Sequence, residues 1–102
     1  KMAEQITIEE GLEVPNIYTI VLLKNENLVR EKLLVDEGVY VDIVSEIVYI
    51  APGTIDNIIY RFLAGYFLLA TYKTFEKLDR HRALLLARKH FFKVFVYSVG
   101  ES

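Results

Sequence analysis

His81 and His90 are the chain's two histidines, and their spacing limits what they can do. Nine residues along one helix is a rotation of about 900°, which leaves the two imidazoles on opposite faces. Neither has a carboxylate or a second histidine three or four positions on, so no zinc set forms around them. Both read as solvated side chains of a basic helix. Nucleophile chemistry fares no better, because Ser45, Ser98 and Ser102 are the only serines and none sits in a G-x-S-x-G turn. Glu9 and Glu10 are adjacent, but an acid/base pair needs shared burial to separate its two pKa values. Five scattered glycines make no phosphate loop, and the absence of cysteine excludes disulfides and thiolate metal sites. The expectation is a protein that is not an enzyme and that needs no metal or cofactor.

Two sets of residues suit binding instead. Lys73, Lys77, Arg80, His81 and Arg88 fall within about 100° of one another if residues 73–93 form one helix. Such a stripe can follow a phosphate backbone with steeply salt-dependent affinity, which makes nucleic acid the alternative partner. The charge layout agrees with either partner: residues 1–51 hold ten acids and four bases, whereas residues 52–102 hold eight bases and four acids. That asymmetry marks a polyanion site or two halves that attract each other. The second set is Tyr40, Tyr49 and Tyr97, amphipathic anchors placed in apolar, β-branched segments. An exposed strand edge beside such anchors takes an extended partner segment by strand addition. Protein–protein interaction is therefore the preferred function, with a partner peptide or strand held in a seam.

The elements that position these residues follow from pattern and punctuation. Residues 5–11, "QITIEEG", read either as a short strand or as a helical turn with Thr7 and Glu10 as a capping box. "EVP" then breaks any helix. "NIYTIVLL" at 16–23 is a covered strand or a buried helix. "NENLVREKLLVDEG" predicts a helix over 26–37 closed by Gly38. "VYVDIVSEIVYIA" at 39–51 alternates at strand period, with "SE" as a tight turn or bulge between two strands. "PG" punctuates, and Thr54 is a good N-cap for an apolar helix on which Ile55, Ile58, Ile59, Phe62, Leu63, Tyr66, Leu69 and Ala70 share one face. Its uncharged run from Phe62 to Tyr72 spans 11 residues, too few to cross a bilayer. Thr74 opens a second helix from about Phe75 to Lys89, and "HFFKVFVYSVG" reads as a final strand.

Helix, strand and glycine thus recur, at 26–53 and at 75–100, and "IVYIAPG" echoes "VFVYSVG". The expected architecture is a single α+β domain over residues 2–102. It consists of two diverged helix–strand motifs, about 16–53 and 54–101, packed as an internal pseudo-repeat with a seam between them. Lys1 precedes Met2 and is set aside as a remnant of recombinant expression. The following "MAEQITIEEG" lacks a basic and an apolar signal region, so an intracellular site is expected.

From "MAEQITIEEGLEVPNIYTIVLL" onward, the chain resembles the orphan proteins of filamentous viruses that infect Acidianus, a hyperthermophilic archaeon. The resemblance implies synthesis in a host cell and a viral or host partner. It supplies no motif from which a site residue could be carried over.

Overall fold

The computed structural model describes residues 2–17, 19–24 and 32–100. The element order is α1 (Met2–Glu9), β1 (Ile20–Leu22), β2 (Leu33–Asp36), β3 (Val39–Asp42), β4 (Ile47–Ile50), α2 (Ile55–Phe75) and α3 (Arg80–Gly100). The four strands form one mixed sheet in the order β1-β4-β3-β2, and the architecture is α+β.

Alternation builds the sheet. Val39, Val41, Val48 and Ile50 point into the core, while Tyr40, Asp42, Ile47 and Tyr49 line the other face, half-exposed. Gly38 adopts φ 80° between β2 and β3, the left-handed geometry that a residue without Cβ takes at low cost. Residues 43–46 turn the chain from β3 to β4, and the Asp42 carboxylate accepts the Ser45 N–H at 3.1 Å. That bond, with help from Lys32 at 3.2 Å, holds the Asp42 carboxyl below its ordinary pKa. β1 lies parallel to β4, in register Ile20↔Val48 to Leu22↔Ile50.

The helices cover one face. α2 packs over β2, β3 and β4, and is buried all round from Leu63 to Thr71. Gly65 is the crossing point: a Cβ there would sit 2.7 Å from Val48 Cγ1 and 3.3 Å from Val39 Cγ2. Among the described residues no helix is long and apolar enough to cross a membrane. α2 ends at Glu76, whose left-handed backbone donates its N–H to the Tyr72 carbonyl. α3 then returns antiparallel, with Arg82 over the Phe75 ring and the His90 and Phe67 rings 6.1 Å apart.

Three sequence expectations are corrected. Residues 26–31 of the expected helix 26–37 lie outside the described residues, and its end is strand β2. Val35 is buried between outward Leu34 and half-exposed Asp36, so the pairing with β3 wins, and the positive φ of Gly38 closes a hairpin instead of a helix. Residues 91–99, expected as a strand, are helical: Ala83, Ala87, His90 and Val94 bury at helical spacing against α2, and this packing overrides β propensity. Thr74 caps nothing. Its hydroxyl donates to the Ala70 carbonyl, and α3 is capped by Asp79, which accepts the Arg82 N–H at 3.0 Å. All four strands therefore lie before residue 51 and both long helices after it, so residues 75–100 hold no strand to match the one at 39–51. Segment 5–11 lies largely in α1, and the undecided 16–23 contains strand β1.

Arg61 ties the sheet to α2, donating to the carbonyls of Ala51 and Pro52 at 3.0 and 2.9 Å. Its guanidinium occupies the space where a Gly38 Cβ would stand, 2.6 Å from that position. Gly38→Ala should therefore displace Arg61 as well as strain the turn, lowering stability by about 2 kcal/mol. Arg61→Ala should lose a similar amount. A thermal melt of the double variant checks the shared cause, since its loss should be smaller than the two single losses added.

Candidate functional site

β1 projects beyond the helix layer. Ile20 and Leu22 point to the same side of the sheet as buried Val48 and Ile50, yet they are 46% and 62% exposed. In the sheet order β1 has β4 as its single neighbour among the described residues. The Leu23 N–H donates to the Ile50 carbonyl at 2.7 Å. Strand alternation therefore turns the N–H and C=O of Leu22 toward the open edge. Beside that edge lies a groove of about 510 Å³. Its sheet side is Ile20, Leu22 and Ile50, its α2 side Ile58, Phe62 and Tyr66, and its far rim Val94 and Tyr97 of α3. Met2, Ala3 and Glu4 of α1 close one end.

The groove is apolar with one buried polar group at its wall. Among the described residues the hydroxyl of Tyr66, which is 4% exposed, makes no well-formed hydrogen bond, although Thr7 stands beside it. Thr7 faces it but donates its own hydroxyl to the Ala3 carbonyl at 2.5 Å. Burial raises the Tyr66 pKa and keeps the phenol protonated. An extended segment laid along β1 could pair with Leu22's backbone, while Tyr66 offers its ring as apolar wall and keeps its hydroxyl sealed beside Thr7.

The expected anchors divide between two places. Tyr97, 43% exposed, lines the groove. Tyr40 and Tyr49 pair across β3 and β4 on the opposite face of the sheet, where Lys32 Nζ lies 5.6 Å from the Tyr49 ring centroid. The three tyrosines therefore do not form one surface. Ile20, Leu22, Phe62 and Tyr66 were not singled out as anchors from the sequence. The available signal was the uninterrupted apolar run of 20–23, which fits an edge strand lacking cover as well as a covered one.

The basic stripe is dispersed. The chain reverses at 76–79, so Lys73 belongs to α2, Lys77 to the turn, and Arg80 and Arg88 to α3. The single helix expected over 73–93 does not exist. Lys73 lies 3.8 Å from the Glu46 carboxylate, and Arg80 Nε donates to the Leu34 carbonyl at 2.7 Å. Arg88 lies beside Tyr60, Asp56, Asn57 and Phe91. His81 and His90 do sit on opposite faces of α3, but only His81 is solvated. His90 is 8% exposed and 2.6 Å from the Glu10 carboxylate, which Lys89 also reaches at 2.8 Å.

Glu10 fastens the end of α1 to α3. Hydrogen bonds from Lys89 and then His90 lower its pKa from the ordinary 4.5. A lowered carboxylate pKa contributes stability that is complete above the unfolded value and is lost as pH falls through the folded one. Acid titration of the wild type should therefore show stability falling below about pH 4.5. Glu10→Gln should flatten that part of the curve, measured by urea midpoints across pH 3–6.

No protein-family model matches the chain, and no curated protein or solved structure matches it either. Among the described residues, no group of three or more His, Asp or Glu side chains could hold a metal ion.

Proposed function

We propose that the protein is a non-enzymatic interaction module that binds an extended segment of a partner protein along β1, in the groove between the sheet and the α2–α3 pair. The observation that carries this reading is the pairing of an open strand edge with an apolar groove beside it. Leu22 and Ile20 remain exposed although they face the core side of the sheet. Exposed apolar side chains in a contiguous concave patch are the ordinary mark of a docking site. The seam lies between residues 16–53 and 54–101, and it needs no symmetry between them to serve. Tyr97 acts as a rim anchor. In the same reading the chain is a viral protein working in the cytoplasm of its host, and its partner is viral or host protein.

Selection of peptides from a random displayed library tests the proposal. The expected consensus alternates apolar residues, as in a strand added to β1. Its members should shift the amide resonances of Ile20–Leu22 and the side-chain signals of Tyr66 and Tyr97. Enrichment of peptides that instead shift Tyr40 and Tyr49 would move the site to the opposite face of the sheet. Failure to enrich any peptide would remove the reading.

A further inference from the structure

α3 carries two apolar faces, and only one is used by the fold. Ala83, Leu86, Ala87, His90 and Val94 are buried against the rest of the molecule. On the opposite side, Leu85, Phe92 and Val96 are 48%, 75% and 50% exposed. At about 100° per residue these three lie within a sector of roughly 40°, and they repeat at spacings of seven and four. Leu78, 44% exposed just before the helix, extends the seven-residue spacing by one more step. This narrow seam is the pattern of a helix that meets another helix. Cations border it on both sides, Arg88 on one and Lys89 and Lys93 on the other. Arg80–Gly100 contains five Lys or Arg residues and no Asp or Glu.

We infer that this outer face of α3 docks an amphipathic helix of a partner protein whose apolar seam is flanked by aspartate or glutamate. Charge complementarity selects that occupant over two others. A second copy seated on the same seam would bring Arg88, Lys89 and Lys93 against their own counterparts, and like charges in close contact are repelled. A bilayer surface calls for a broad apolar face sunk among headgroups and acyl chains, whereas this seam has cations immediately at its edges. An acidic helix meets both requirements at once, placing apolar knobs on Phe92 and carboxylates beside the flanking lysines and arginine. Lys89 already shares Glu10, so Arg88 and Lys93 carry most of the expected charge contact. The surface is separate from the groove, and the two inferences stand or fall independently.

The test is an anisotropy titration of the full chain against a labelled, designed three-heptad peptide with leucine at its seam and glutamate at its flanks, in about 150 mM salt. A matched peptide with lysine at the flanks is the control. The glutamate peptide should bind at least about tenfold more tightly than the lysine one. Phe92→Ser, at a side chain mostly in solvent, should reduce that affinity by about tenfold while leaving the melting temperature and groove-peptide binding unchanged. Arg88→Glu with Lys93→Glu should invert the preference between the two peptides. Equal binding of both peptides, or binding that ignores Phe92→Ser, would overturn the inference. So would sedimentation showing a Phe92-dependent dimer, or Phe92-dependent capture by phosphatidylglycerol vesicles without peptide binding, which would assign the seam to a second copy or to lipid.

Discussion

Gly65→Val is expected to lower the thermal unfolding midpoint by roughly 10–20 °C, the largest single effect on stability anticipated for this chain. The reason is geometric. The first carbon of any side chain at position 65 would stand 2.7 Å from Val48 Cγ1, and both sit in the fully buried interior. Valine adds two methyl groups to that clash, so α2 must lift from β3 and β4. Overpacking of this kind costs about 3 kcal/mol, a large share of the roughly 5–15 kcal/mol that holds a small domain folded. Glycine is otherwise a poor helix residue, costing about 1 kcal/mol relative to alanine. Gly65→Ala therefore sets that propensity gain against a milder clash and should lose less than the valine variant. Gly100→Ala, where a Cβ meets nothing within 4 Å, is the control and should change little. A double-mutant cycle with Val48→Ala should show coupling, since the added volume at 65 would fall into the space vacated at 48.

The second large effect concerns binding. Leu22→Glu should weaken a groove-selected peptide by at least about thirtyfold, because it places a charge where the partner must bury apolar surface. Leu22 is 62% exposed, so the melting temperature should hardly move. Tyr66→Phe separates the two roles of a buried side chain. Removing a buried hydroxyl that makes no well-formed hydrogen bond among the described residues should leave stability unchanged or slightly raised. The same change should leave peptide affinity within about twofold, because the hydroxyl is sealed from the groove and only the ring lines it. Loss of stability in Tyr66→Phe would instead show that the hydroxyl is held by Thr7 of α1.

Much of the sheet was legible in the sequence, and the reasons are local. "VYVDIVSEIVYI" alternates cleanly because one face of β3 and β4 meets α2 while the other carries Tyr40, Asp42 and Tyr49. The apolar run of α2 was equally plain, since residues 63–71 are buried on every side. "LLVDEG" misled because a left-handed glycine ends helices and closes hairpins alike, and Leu33 and Val35 suit either element. "HFFKVFVYSVG" misled because α3 is apolar on two opposite faces. Its inner face packs on α2, its outer face holds Phe92 and Val96, and the sum hides the helical period. The groove was the least readable feature. It arises from where α2 stops covering the sheet, a matter of layer placement that no run of residues encodes. Tyr97 stands out by its type, whereas Tyr66 follows the apolar period of α2 and nothing in its spacing marks it as groove wall.

The most direct measurement of the central claim is amide hydrogen exchange at Leu22, with and without a selected peptide. Its N–H points to the open edge of β1, whereas the Leu23 N–H is already held by Ile50. Strand addition predicts that peptide binding slows exchange at Leu22 strongly and at Leu23 weakly. Unchanged exchange at Leu22 under saturating peptide would contradict the account, whatever surface the peptide then proved to occupy.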